Sequence, residues 1–255
     1  MSTFLYTKTV DGLLTAVAEA ADSTGDAVAL RAADDWQPTL FVSPTEIMPE
    51  PHRALGLLDE LWTRVSKRVA RRVLYAAMSE EEDIGNALVA YVQQVRRLGA
   101  QADDFLADPS IKRVHDVARA VGSELHRLKG LARFRRLSDE TLWAPIRPKA
   151  NVVAPLAMHF RGRMPSETWL IHDVRRRLAV RWDRNELAWV DAQDLPPEKP
   201  ELAEEEAAYQ TLWQTYFRNI AVTERRNPRL QRQCMPARYW KYLVEVPRGG
   251  QHEGR

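Results

Sequence analysis

Three clusters bring together residues whose types could bind a charged ligand or move a proton. The first is Glu124-Leu125-His126-Arg127-Leu128-Lys129-Gly130-Leu131-Ala132-Arg133-Phe134. The second runs from Met158-His159-Phe160-Arg161-Gly162-Arg163 through Trp169-Leu170-Ile171-His172-Asp173-Val174-Arg175-Arg176-Arg177. The third begins Glu224-Arg225-Arg226-Asn227 and ends Pro236-Ala237-Arg238-Tyr239-Trp240. Arginine presents a planar fork that matches phosphate, and neighbouring aromatic rings offer faces on which bases stack. Arg127, Lys129, Arg133, Arg163, Arg175, Arg176, Arg225 and Arg238 are therefore candidate phosphate contacts.

Each cluster also has an ordinary structural explanation. Cations in the last turn of a helix are favoured by its dipole, which accounts for Arg127 and Lys129 if a helix ends at Gly130. Arg133 is not covered by that account, because it is expected on a strand, alternating with a buried Phe134. Arg175, Arg176 and Arg177 surround a turn and cannot all point one way. Tryptophans on a small sheet are more often core than stacking platforms. The third cluster reads equally as a strap that docks Tyr239 and Trp240 and pairs Arg225 with Glu224 or with an acidic linker.

Glu124, His126, His159 and Asp173 are the candidates for acid–base chemistry if they share one pocket. Glu124 and His126 are two apart, so on an intact helix they diverge by about 200°. No spacing matches a zinc signature, and there is no nucleophile elbow, phosphate-binding glycine loop or dinucleotide fingerprint. Cys234 is the only cysteine, which excludes an internal disulfide, a four-cysteine zinc site or a self-contained iron–sulfur cluster. It is expected to be packed. No metal or cofactor is implied, and whether the chain is an enzyme stays open.

These residues need elements to position them. Phe4–Thr7 and Ala27–Ala32 read as strands flanking an apolar helix that follows Asp11-Gly12, with Gly25 in a turn. Prolines 38, 44, 49 and 51 mark an irregular connection. Three helical periodicities follow, on Leu58 to Val73, Ile84 to Leu98 and Ile111 to Leu128, and these stripes are expected to be core. Past Gly130 the spacing changes. Leu131–Arg136 and Leu142–Ile146 suggest a hairpin, Asn151 a cap for a short helix through Phe160, and Thr168–Ile171, Leu178–Trp182 and Leu187–Val190 further strands. A last long helix carries Glu204-Glu205-Glu206 in its first turns, where they complement the helix dipole, with Tyr209, Leu212, Trp213, Tyr216, Phe217 and Ile220 along one stripe. The expected class is α+β: a helical N-terminal half packed on a small, mostly antiparallel sheet, with a long C-terminal helix and a basic strap. The expected domains are an α/β lobe over 1–80, the remaining elements over 81–247, and a loose tail over 248–255.

The 255 residues carry a net charge of +2, but the charge is segregated. Residues 1–109 hold 10 Lys/Arg against 17 Asp/Glu, and residues 110–190 hold 17 against 8. Residues 191–217 hold one against 7, and residues 218–255 hold 9 against 3. Two basic blocks separated by an acidic linker suit a polyanion-binding face, or a set of arginines paired with those acids. No apolar run reaches the roughly 20 residues of a membrane span, and the N-terminus lacks a secretory pattern. A cytoplasmic location, with no membrane partner, is the expectation.

Taken together, the clusters resemble a bacterial family associated with DNA metabolism and DNA repair that contains domain of unknown function 4130. The resemblance rests on Glu124-Leu125-His126-Arg127, Lys129-Gly130 and Arg133-Phe134. It continues on His159-Phe160, Arg163, Trp169, Ile171-His172-Asp173 and Arg176, and then on Glu224-Arg225, Asn227, Gln231, Pro236 and Arg238-Tyr239-Trp240-Lys241. Asp11-Gly12 also fits, and Leu128 departs from the aromatic residue expected there. The resemblance implies a companion of a uracil-DNA glycosylase-like protein, sometimes fused to it, and of a radical-SAM protein. It supplies no catalytic residues. The expected role is an accessory protein that binds DNA through its basic segments. The alternatives are an enzyme acting on a base or sugar through Glu124, His126, His159 and Asp173, and a protein adaptor without nucleic-acid binding.

Overall fold

Thr9 sets the first boundary. In the computed structural model, which describes residues 2–23, 28–37, 43–197, 199–222 and 227–245, strand β1 (Ser2–Tyr6) ends just before it. The Thr9 hydroxyl accepts the Gly12 N–H at 3.0 Å and so caps helix α1 (Val10–Asp22). A Cβ at Gly12 would run into the Thr7 carbonyl, so the tight entry requires glycine. Strand β2 (Val28–Ala32) lies parallel to β1, and β3 (Thr45–Ile47) lies parallel along its other edge. The β3 strand falls inside the proline-marked connection. At three residues it is too short to show an alternation.

The stripe on Leu58 to Val73 suggested one continuous helix, and the structure divides it. Helix α2 (Pro51–Glu60) runs into a wide π-helical turn, Leu61–Val65, and Ser66 then caps α3 (Lys67–Ala77) by accepting the Val69 N–H at 3.2 Å. The wide turn shifts the helical phase. Leu61 stays buried, while Trp62 is turned out to solvent with the Lys67 ammonium 5.1 Å above its ring. Helix α4 (Ile84–Leu98) follows, and Asn86 near its start bonds both the N–H and the C=O of Leu30, completing a stretch of the β2 edge. Asp108 accepts the Ser110 and Ile111 N–H groups and opens α5 (Pro109–Leu131). The expected helix end at Gly130 is passed by one residue. Leu14, Val17, Val73, Leu88, Val92, Ile111 and Val114 form part of one apolar core, and truncating such side chains costs about 2–5 kcal/mol each.

One carboxylate lies at the polar centre of this core. Asp103 is fully buried in the turn after α4 and accepts from the Tyr91 hydroxyl at 2.5 Å and from Arg72, with His115 Nε2 2.8 Å from the same oxygen. Burial alone would raise its pKa. The hydrogen bonds from Tyr91, Arg72 and His115 outweigh that and hold it below the ordinary carboxylate range.

Contacts divide the chain into two units, Met1–Ser123 and Glu124–Arg255, with the division inside α5. The second unit is built on a five-stranded sheet of order β4-β5-β6-β7-β8: β4 (Arg135–Arg136), β5 (Leu142–Ile146), β6 (Trp169–Asp173), β7 (Leu178–Trp182) and β8 (Leu187–Val190). The pairing is antiparallel except between β5 and β6, which helix α6 (Val153–Arg163) connects. Strand β4 keeps only two of the residues expected in the first hairpin strand. Val152, with no side-chain bond, precedes α6 in place of the expected Asn151 cap. The rings of Phe134, Phe160, Trp169 and Trp182 meet in succession at 4.9, 6.5 and 6.4 Å. Trp143, Trp169 and Trp182 are core, while Trp189 is exposed.

Helix α7 (Glu206–Ile220), helix α8 (Pro228–Cys234) and a 3₁₀ turn over Ala237–Tyr242 complete the fold, which is α+β. Cys234 is exposed, contrary to the packed position expected of it. The tail expected over 248–255 lies outside the described residues. Among the described residues, no helix is long and apolar enough to cross a membrane.

Candidate functional site

Helical geometry already separates Glu124 from His126, and the structure buries the first and exposes the second. Glu124 accepts five contacts. These are the Lys149 and Ala150 N–H groups at about 3 Å, the Arg238 guanidinium at 2.8 Å and the Tyr239 hydroxyl at 2.5 Å, with Lys149 reaching both oxygens. Burial raises its pKa, but the Tyr239, Ala150, Lys149 and Arg238 hydrogen bonds prevail and hold it below the ordinary range. Burial and the adjoining carboxylate push the Tyr239 phenol up to about 12. A carboxylate saturated with donors and held ionised has no lone pair left to take up a substrate proton. Glu124 is a structural anchor.

Asp173 forms a second knot. Its Oδ1 accepts the Arg175 and Arg176 N–H groups, and its Oδ2 accepts the Arg176 guanidinium at 2.6 Å. Here burial wins over the Arg176 contacts, and the pKa is raised. The Arg175 and Arg176 side chains both donate to the Lys149 carbonyl, and Arg176 also reaches that of Pro148. The Lys149 residue is therefore held on both sides, its N–H by Glu124 and its C=O by the two arginines.

Of the proposed acid–base set, Glu124 and Asp173 are thus committed to separate knots, His126 is exposed, and His159 lies against the Phe160 ring at 5.1 Å. No hydrogen bond joins any two of the four among the described residues, so the direct contacts that an acid–base couple would use are not made. Nor does any group of three or more His, Cys, Asp or Glu stand close enough to hold a metal among the described residues.

The candidate phosphate contacts divide in the same way. Arg133 is not on a strand. Its guanidinium donates to the Glu245 carboxylate at 2.5 and 3.2 Å and to the Gly130 carbonyl at 2.8 Å. Burial opposes ionisation of Glu245, and the Arg133 contact reverses this and lowers its pKa. Arg238 and Arg176 are ion-paired as described. Arg225 lies outside the described residues. Arg127 is half-buried, with a buried Nε that lacks a hydrogen-bond partner.

Lys129 and Arg163 remain. They occupy the last turns of α5 and α6, both exposed, and neither has a carboxylate partner among the described residues. Both act on His159, whose pKa is lowered first by burial and then by these two cations. Arg161 adds a further exposed charge to the same helix end.

Phe134 and Phe160 connect this cationic edge to a cleft of about 350 Å³ beside α7. Arg133, Phe134, Arg136, Tyr209, Gln210 and Trp213 are among its walls. The Arg133 guanidinium lies 5.4 Å over the Trp213 ring, and the Trp213 indole N–H donates to Glu245 at 3.2 Å. Buried Glu206 accepts the Arg136 N–H and the Gln210 side chain, which fixes α7 along this edge. The cations of the cleft are balanced, Arg133 by Glu245 and Arg136 by Glu140. The cleft thus presents aromatic faces with the Glu206 carboxylate in its wall and its two arginines already paired, while the unpaired positive charge lies beyond the two phenylalanines.

The apolar stripe of α7 was legible in the sequence, but its use was not. Tyr209 is 61% exposed and Leu212 66%, with Tyr216 and Ile220 also facing solvent. The one sequence signal for the cleft is the density of aromatic residues on a helix that begins at the last of three consecutive glutamates.

A family model described as Domain of unknown function (DUF4130) matches residues 82–245. No curated protein and no solved structure matches the chain.

Proposed function

We propose, for a chain that belongs to the family of domain of unknown function 4130, the role of a nucleic-acid-binding accessory protein that engages a strand with accessible bases. The observation that carries this reading is the juxtaposition in the second unit of a cationic edge and an aromatic cleft. Lys129, Arg161 and Arg163 gather at helix ends without carboxylate partners among the described residues, beside a cleft lined by Phe134, Tyr209 and Trp213. Single-stranded nucleic acid is held by this combination of backbone cations and stacking rings. The edge supplies the phosphate contacts and the aromatic walls of the cleft receive bases.

The partners in this proposal are a uracil-DNA glycosylase-like protein or a radical-SAM protein, and DNA is the nucleic acid. Their support is the family resemblance. The exposed apolar side chains of α7 support an accessory role, since such a face is suited to contact with another macromolecule.

Fluorescence anisotropy of the full chain with a labelled single strand, repeated over a range of salt concentrations, tests the reading. Each neutralised phosphate contributes about −0.7 to the log–log salt slope on a single strand. Lys129→Ala with Arg163→Ala should therefore weaken binding and flatten the slope by about 1.4. Arg133 and Arg176 are unsuitable for this purpose, because removing either strands a buried carboxylate. Binding indifferent to both salt and the Lys129/Arg163 pair overturns the proposal. Partner capture without any strand affinity favours a protein adaptor instead.

A further inference from the structure

The first unit contains a cationic cavity that the strand-binding edge does not use. Arg68, Arg71, Arg72 and Tyr75 of α3 and His115 and Arg119 of α5 line a space of about 230 Å³, and no carboxylate is among its lining residues. Gathering four guanidinium groups around one cavity is electrostatically unfavourable unless counter-charge is supplied. The protein supplies it from behind and only in part. Buried Asp103 holds Arg72 and lies 2.9 Å from the Arg68 Nε, while Asp104 takes the other end of Arg68 at 3.1 Å. Asp116 is shared between Lys112 at 2.5 Å and Arg119 at 3.3 Å. Arg71 has no carboxylate partner among the described residues, and the Tyr75 hydroxyl has no hydrogen-bond partner among them.

Two consequences follow from this arrangement. Positive charge in excess of the local carboxylates faces the cavity. The deepest cation is also pre-organised, because Arg72 is fixed through Asp103, which Tyr91 and His115 hold in turn. Pre-positioned guanidinium groups suit a tetrahedral dianion, to which each can donate two parallel hydrogen bonds. The volume narrows the ligand further. It is below the roughly 300–1,000 Å³ of pockets that enclose a drug-sized molecule, but exceeds several times the roughly 30 Å³ of one water. A phosphate group fits within it.

We propose that this arginine-lined cavity between α3 and α5 is a binding site for a phosphate dianion, either inorganic phosphate or the terminal phosphate of a phosphomonoester. The site is independent of the strand-binding edge of the second unit. Its charge comes from Arg68, Arg71, Arg72 and Arg119, and Tyr75 supplies a neutral donor.

Calorimetric titration of the full chain with inorganic phosphate is the direct test. Arg71→Glu combined with Arg119→Glu alters two exposed side chains and leaves the Asp103 network intact, so circular dichroism should show an unchanged fold. Phosphate binding should fall by about tenfold or more in this variant. Arg97→Glu, which changes an exposed arginine of the same unit outside the cavity, should leave it within about twofold. Lys129→Ala with Arg163→Ala should also leave it unchanged, which separates this site from the strand-binding reading. A parallel arm compares 5′-phosphorylated with 5′-hydroxyl oligonucleotides, so that backbone binding cancels. A preference for the phosphorylated end that disappears in the Arg71/Arg119 variant identifies a strand terminus as the source. Equal binding of the two oligonucleotides, with inorganic phosphate still bound, identifies the free anion or a small phosphomonoester. Absence of phosphate binding, or equal loss in the Arg97→Glu control, overturns the proposal.

Discussion

Glu124 stands where three segments of the second unit converge, its own helix, Lys149–Ala150 and Arg238–Tyr239, and its replacement is the most informative single change in the chain. Glu124→Gln keeps the size but removes the charge facing Arg238 and sets an amide N–H₂ against two backbone donors. Removing one partner of a fully buried pair costs about 3–5 kcal/mol. Arg238 is partly exposed, so a smaller loss is expected, and a shifted urea midpoint with unchanged slope would report it. The depressed pKa values of Glu124, Glu245 and Asp103 give a second expectation. A carboxyl whose folded pKa lies below its unfolded value adds stability above the unfolded pKa and loses it as pH falls through the folded one. Stability should therefore decline from the ordinary carboxylate range downward, and a pH series of urea midpoints should show a shallower decline in Glu124→Gln. Asp173 acts in the opposite sense. Its pKa is raised, so protonation at falling pH relieves a burial cost and offsets part of the loss. The sequence announced Glu124 and Arg238 as notable residues but could not pair them. They are 114 positions apart, and Arg133 and Glu245 are 112 apart. Charge pairing over such separations has no local spacing signature, so side chains that looked like free phosphate contacts are internal ties.

At the scale of elements, local patterning was a better guide. The stripes of α4 and α5 follow from side-chain period alone, and β6, β7 and β8 arise from short apolar runs bounded by turn residues. The pattern failed where backbone geometry broke the period, at the π-helical turn that exposes Trp62, and where three residues sufficed for a strand, as in β3. It gave the stripe of α7 but not what the stripe faces, because an aromatic stripe reads the same whether it meets a core or a cleft. Two substitutions probe these elements. Gly12→Ala forces a Cβ against the Thr7 carbonyl and should destabilise the first unit by about 1–3 kcal/mol, read as a lower thermal midpoint. Trp213→Ala should weaken single-strand binding by the roughly 1–3 kcal/mol of one stacked base. Its melting curve should fall by less than for a core tryptophan, because the ring is partly exposed and the Arg133–Glu245 pair survives the loss of the indole donor. A large loss of stability with unchanged strand affinity would place Trp213 in the framework and not in the recognition surface.

For the whole molecule, the segregated charge of the sequence divides between two kinds of use. Some of it is spent on internal ties, and some remains at the cationic edge of the second unit and the arginine-lined cavity of the first. Recovery of the full chain from native extract, with and without nuclease, should return nucleic acid in the untreated sample. Partners that survive nuclease digestion bind the protein directly, and partners lost on digestion were joined to it through the strand. The lone Cys234 affects how such material behaves. A single accessible thiol on α8 has no intramolecular mate, so air oxidation can join two chains tail to tail. The covalent pair would double the cationic valence presented to one oligonucleotide and steepen its apparent ionic-strength dependence. Reductant, or Cys234→Ser, is thus part of measuring the monomer's own affinity.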